Sequence, residues 1–126
     1  MKILIVDDSK AMRMMVSSNL KQAGYRGHTI IEAENGALGL QMVMDQQPDL
    51  VLSDWNMPEM TGMELLKTLK EHHESKQIPK MPTFVFVTSE STTEMLEQAL
   101  TSGAQCLITK PFSAEIFEQK LANIIK

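Results

Sequence analysis

The apolar residues of this chain fall into two alternating rhythms, and that alternation limits the folds open to it more than any other feature. Runs rich in Ile, Val and Phe recur at Ile3–Val6, His28–Ala33, Asp49–Ser53, Thr83–Thr88 and Cys106–Thr109. Each is strand-length, and β-branched residues suit a pleated surface. The first, third and fourth are almost continuously hydrophobic, as expected of parallel strands covered on both faces. Between them the period lengthens. Met12, Met15, Val16 and Leu20 recur at spacings of three and four, and Gly24 stops that helix. Asn35 can cap a second helix with Ala37, Leu40 and Met44 along one face. Thr61 and Glu64 form a capping box ahead of Leu65, Leu66 and Leu69, and Ser91 and Glu94 form another ahead of Met95, Leu96, Ala99 and Leu100, ending near Gly103. Ser113 can cap a last helix with Ile116, Phe117, Leu121, Ile124 and Ile125 on its apolar face. The polar stretch from Glu71 to Pro82 holds two prolines and is expected to be a long loop.

Five strands alternating with five helices give a (βα)5 plan: a doubly wound parallel sheet with helices on both faces. At 126 residues the chain is expected to form a single domain over 1–126. Its net charge of −4 argues against nucleic acid as the main partner. The longest apolar runs are four residues, far short of a membrane span, and Asp7 and Asp8 cut off any signal-peptide reading of Lys2–Val6. The single Cys106 excludes an internal disulfide and fits a reducing, cytoplasmic setting as an inert buried thiol. Most of the eleven methionines fall at helix-core spacing and are expected to fill core. His72 and His73 are adjacent, do not share a helix face, and read as solvated residues.

In such sheets ligands bind beyond the carboxyl ends of the strands. Asp7 and Asp8 follow the first strand and Asp54 the third, while Thr88 closes the fourth and Lys110-Pro111 the fifth. If strands one and three are neighbours, three carboxylates share a crevice. Two charges about 5 Å apart at an effective dielectric near 20 repel by roughly 3 kcal/mol, so either one acid is protonated or a cation sits among them. All-oxygen donors point to Mg²⁺, which keeps waters and leaves room for a phosphoryl group. That set suits transfer of phosphate to an aspartate, with Lys110 and the metal neutralising charge on the phosphoryl oxygens. Asp54 is the expected nucleophile, with Asp7 and Asp8 as the metal cradle. Trp55, beside it, is expected to be half exposed.

Asp7-Asp8, Asp54-Trp55-Asn56-Met57-Pro58, Val87-Thr88-Ser89-Glu90 and Lys110-Pro111-Phe112 resemble the motifs of the receiver domains of two-component response regulators, in order from Met1 to Lys126. Each motif alone is weak; the four together at the right strand ends are specific. The resemblance is to the stand-alone, CheY-like chemotaxis type, with no output domain, and implies a flavodoxin-like sheet of order 2-1-3-4-5. It also implies that Asp54 accepts a phosphoryl group from a sensor histidine kinase or a small acyl phosphate. Mg²⁺ would then be bound by Asp8, Asp54 and the backbone carbonyl of Asn56, with Asp7 acting through water. Lys110 would pair with the phosphoryl oxygens, Thr88 would swing toward them, and the Lys110–Pro111 bond would be cis. Asn56 and Glu90 sit where such domains tune self-dephosphorylation. The family's usual aromatic three residues before the lysine is Leu107 here, which puts the usual output step in doubt but not phosphorylation.

The implied partners are the kinase, a downstream protein target with the flagellar motor switch as one candidate, and a phosphatase; the chain is expected to be a monomer with only self-directed catalysis. Other roles for a receiver are phosphorelay shuttle or phosphate sink. An aspartyl-phosphate phosphatase of the haloacid dehalogenase type needs Asp-x-Asp-x-Thr, which Asp7-Asp8-Ser9-Lys10-Ala11 does not supply. A flavodoxin needs a hydroxyl- and glycine-rich phosphate loop where this chain has two aspartates. A degenerate receiver is disfavoured because the acids, Thr88 and Lys110 are all present.

Overall fold

The structure is a computed structural model that describes residues 1–89 and 92–125. Five strands, β1 (Lys2–Val6), β2 (Thr29–Ala33), β3 (Leu50–Ser53), β4 (Thr83–Thr88) and β5 (Cys106–Thr109), alternate with α1 (Lys10–Gln22), α2 (Gly36–Gln46), α3 (Gly62–Glu74), α4 (Thr93–Thr101) and α5 (Ala114–Leu121). All strand pairs are parallel, in the order β2-β1-β3-β4-β5. This is the doubly wound, flavodoxin-like plan.

Side-chain alternation along each strand feeds two separate cores. Leu4, Val6, Val51, Phe84 and Phe86 face one side, where Val43 of α2, Leu65, Leu66 and Leu69 of α3 and Ala99 of α4 cover them. Ile3, Ile5, Leu50, Leu52, Val85 and Val87 face the other, against Val16 and Leu20 of α1 and Phe117 and Leu121 of α5. Because β1, β3 and β4 are buried on both faces, their sequences have no polar alternation.

Several expectations need correction. Helix α3 continues to Glu74, so the polar stretch after Leu69 is first a solvated helical turn and only then a loop. His72 and His73 close that helix: His72 Nδ1 meets Gln77 Oε1, and His73 Nδ1 lies 3.0 Å from the Ile78 carbonyl. The buried face of α2 is Gly36, Gly39 and Val43, with Leu40 partly buried, while Ala37 and Met44 are exposed. The reason is close backbone packing: a Cβ on Gly36 would lie 2.8 Å from Met60 Cβ, and one on Gly39 3.1 Å from Val6 Cγ2. Helix α4 is capped by Thr92, whose hydroxyl accepts from the Met95 N–H; the expected cap, Ser91, lies outside the described residues. Met14 and Met15 on α1 and Leu96 and Leu100 on α4 face solvent. Met57 is buried, and Met42, Met60, Met63 and Met81 pack at the core margin, so the methionines are core filler only in part. Cys106 is half-buried, and burial raises its thiol pKa.

Candidate functional site

Register places the site. Val6 pairs with Ser53, so the residues that follow, Asp7 and Asp54, leave adjacent strands side by side. Backbone bonds continue the ladder past the strand ends: the Asp54 N–H donates to the Val6 carbonyl at 2.9 Å and the Asp7 N–H to the Ala33 carbonyl at 3.1 Å. On the other side Thr88 pairs with Thr109, and the Lys110 N–H donates to the Thr88 carbonyl at 2.7 Å. The Lys110–Pro111 bond is cis.

These backbones aim four side chains at one crevice. Lys110 Nζ lies 3.3 Å from Asp7 Oδ2 and 3.6 Å from Asp54 Oδ2. Carboxylate oxygens of Asp7, Asp8 and Asp54 all lie within 4.8 Å of one another. Asp7 is only 3% exposed, and its second oxygen accepts the Ser9 N–H at 2.9 Å. Asp8 is exposed at the rim. Asp54 Oδ1 accepts the Trp55 N–H at 2.8 Å. Burial, then the neighbouring charge of Asp7, pushes the Asp54 pKa above its ordinary value; Lys110 and the Trp55 N–H pull against that, and Asp8 adds to it. Three acids with one ammonium leave an excess of negative charge when all are ionised. Oxygen-only donors, with an exposed acid at the rim to leave space for retained water, fit a hard divalent cation such as Mg²⁺.

Thr88 is fully buried at the end of β4. Asn56 is exposed in the loop after Asp54, and Glu90 lies outside the described residues. Trp55 is half-buried, its ring 4.6 Å from that of Phe86. Leu107 pairs with Phe86 across the sheet and is 6% exposed, packed into the core on the α4 side. The site's floor is held by the turn into α3: the Gly62 N–H donates to the Trp55 carbonyl at 2.8 Å, and the Thr61–Glu64 capping box is present. A groove of ≈ 370 Å³, lined by Met12, Met15, Ser89, Lys110, Pro111 and Phe112, opens beside the lysine.

Two residues that sequence reasoning missed support this crevice. Arg13 donates from Nη1 to the Asp7 carbonyl at 2.7 Å and from Nε to Glu32 Oε1 at 3.0 Å. Gly62 lets α3 begin directly beneath the Asp54 carbonyl. For Arg13 a signal existed: helical side chains lean toward the N-terminus, so a first-turn arginine reaches back over the residues before the helix.

A parallel five-stranded sheet with strand-end acids facing a lysine defines a class, and comparison with known proteins agrees. The chain belongs to the response regulator receiver domain family, whose profile matches residues 3–122. It is homologous to CheY-family proteins: it is 36% identical over 126 residues to chemotaxis protein CheY-3 of Vibrio cholerae, covering 100% of this chain and 92% of that one. It is 32% identical to chemotaxis protein CheY of Pseudomonas aeruginosa, covering 100% and 97%. The solved structure of Vibrio cholerae chemotaxis protein CheY4 superposes with a TM-score of 0.80 at 32% identity, covering 98% of this chain and 97% of that one. CheY-like receivers are signalling proteins of two-component systems and not conventional enzymes. Among the described residues no helix is long and apolar enough to cross a membrane.

Proposed function

We propose that this chain is a cytoplasmic switch that takes a phosphoryl group on Asp54 and signals through altered protein contacts, in chemotaxis or flagellar control. One observation carries the reading: Asp54 has Lys110 Nζ at 3.6 Å and the oxygens of Asp7 and Asp8 within 4.8 Å. A carboxylate oxygen of Asp54 attacks phosphorus, the bond to the donor's imidazole nitrogen or acyl oxygen breaks, and an acyl phosphate remains on Asp54. Lys110 pairs with the phosphoryl oxygens, and Thr88 supplies a hydroxyl from the end of β4. Asp8, Asp54 and the Asn56 carbonyl would hold Mg²⁺, with Asp7 acting through water. When bound, that ion offsets the carboxylate charge and that developing on the phosphoryl group. Asn56, two residues past Asp54, and Glu90, two residues past Thr88 in sequence, tune how fast water removes the phosphate.

The phosphodonor is a sensor histidine kinase, and the groove of Met12, Met15 and Phe112 beside Lys110 gives it an apolar foothold next to the acceptor. The chemotaxis setting rests on the relatives, which are chemotaxis proteins. The downstream target is a protein such as the flagellar motor switch, and a phosphatase resets the state. Incubation with acetyl phosphate and Mg²⁺ should add one phosphoryl mass to the wild-type chain and none to Asp54→Asn. Unchanged labelling of the variant refutes the assignment of Asp54.

A further inference from the structure

Arg13 is the one cation of α1 that turns inward, and its two bonds go to two different parts of the sheet. Its side chain is only 12% exposed, and its guanidinium spans from the Asp7 carbonyl to Glu32. Glu32 stands on β2 opposite Ile5 of β1, one residue before the pair Val6 and Ala33. The Asp7 carbonyl belongs to the peptide unit that joins Asp7 to Asp8. Fixing its oxygen helps fix the plane of that peptide, and with it the position of the Asp8 Cα from which the side chain departs. The Asp7 side of the unit is already held: its N–H by the Ala33 carbonyl, its Oδ1 by the Ser9 N–H and its Oδ2 by Lys110. Asp8 is exposed and stands beyond these ties.

We propose that Arg13 is a positioning residue for the acidic pocket, anchored by Glu32, which sets the Asp7–Asp8 peptide so that Asp8 meets a divalent cation together with Asp54. This rests on the reading of the pocket as a cation site. Glu32 has two tasks: it holds the guanidinium fork in the orientation that reaches the carbonyl, and it balances the guanidinium charge. Lysine cannot replace the fork, because a single ammonium on a flexible stem does not hold both partners in one geometry.

The sign of the effect separates positioning from simple charge. If Arg13 acted only as a positive charge near the pocket, removing it would strengthen cation binding. Positioning gives the reverse. The experiment is a Mg²⁺ titration followed by Trp55 fluorescence on the full chain, with thermal melting of each variant in parallel. Arg13→Met should raise the Mg²⁺ midpoint by about 10-fold or more, the usual scale for losing a group that orients a metal ligand. Arg13→Lys should recover only part of that loss. Glu32→Gln, at a half-exposed position that does not threaten folding, should raise the midpoint several-fold and have little further effect when added to Arg13→Met. Unchanged or tighter Mg²⁺ binding in Arg13→Met or Glu32→Gln, whatever their melting temperatures, overturns the proposal. Asp8→Ala is the control for the underlying reading. If it weakens the response and the Arg13 and Glu32 variants do not, only the role of Arg13 fails; if the wild-type chain ignores Mg²⁺, the cation site fails and the role of Arg13 with it.

Discussion

Gly62→Ala is a one-methyl change that should damage both stability and the site. Gly62 is the first residue of α3, and a Cβ there would lie 2.2 Å from the Asp54 carbonyl oxygen, 2.9 Å from Phe86 Cε1 and 3.1 Å from the Asp54 carbonyl carbon. Ordinary nonbonded contact needs about 3.5 Å, so something must shift by about 1 Å. Neither wall yields easily. The Asp54 backbone is bonded to Val6 at the end of β3, and Phe86 is fully buried between Phe84 and Trp55. Overpacking of this kind costs about 1–3 kcal/mol, and alanine's better helix propensity returns at most about 1. A net loss of about 1–2 kcal/mol should lower the melting temperature by about 3–10 °C at this chain length. The displaced group is the backbone of the proposed acceptor, and misplacement by about 1 Å can cost about 100-fold in rate. Acetyl phosphate labelling should therefore fall by about 10- to 100-fold. Gly27→Ala is the control, since a Cβ there meets nothing within 4 Å. A Gly62→Ala chain that melts within about 1 °C of the wild type and labels at the same rate would refute the steric argument.

Two further outcomes follow from the electrostatics. The Asp54 pKa is raised in the folded chain from its ordinary 3.8, so folding favours the protonated acid and stability falls as pH rises through the folded value. Asp54→Asn should therefore melt higher than the wild type at pH 7, with the difference closing as pH drops below the ordinary carboxylate range; a variant less stable at pH 7, measured by thermal or urea unfolding, would show that Asp54 is not strained. Added Mg²⁺ should raise the wild-type melting temperature, by about 1.4 kcal/mol of stability near ten times its dissociation constant, or about 5 °C. Chelation should remove the gain, Asp8→Ala should require more Mg²⁺ to reach it, and a melting curve indifferent to Mg²⁺ would contradict cation binding at the acids.

Strands were the legible part of the fold: β1, β3 and β4 are buried on both faces, which leaves unbroken apolar runs, and all five strands lie within a residue of where the apolar-rich runs begin and end. The helix faces were less so. Counting large apolar residues pointed to Ala37 and Met44 in α2, whereas the buried contacts are made by Gly36 and Gly39, whose value is the absence of a side chain. Met15, Leu96 and Leu100 keep the helical period yet face solvent, since a stripe wider than the sheet can cover leaves its edges exposed. The Glu71–Glu74 turn was invisible because a solvated helix end has no apolar signature. At the site, Asp7, Asp54 and Lys110 were readable from one rule about strand ends, and the structure brings all three together. Arg13 was harder to read: its first-turn place on α1 hints that it leans back over the strand end, but no residue pattern names the backbone carbonyl it reaches.

The distribution of partners among the three acids explains why one would react and the others hold. Asp7 is the most deeply buried, yet both of its oxygens are engaged, by the Ser9 N–H and by Lys110, and Arg13 grips its carbonyl. Asp8 is exposed and can reorient toward an ion at little desolvation cost. Asp54 stands between these extremes: partly buried, held by one backbone N–H, and sharing Lys110 with Asp7 at the longer distance. Its raised pKa marks a carboxylate more basic than usual, and greater basicity accompanies greater nucleophilicity. Strengthening the Asp54–Lys110 pair would calm that strain and blunt the nucleophile, while removing Lys110 would leave Asp7 and Asp54 to repel each other without relief. On the proposed reading, the lysine, shared with Asp7 and nearer to it, offsets the Asp54 charge only in part, so that a cation and a phosphoryl group both find the site unfinished.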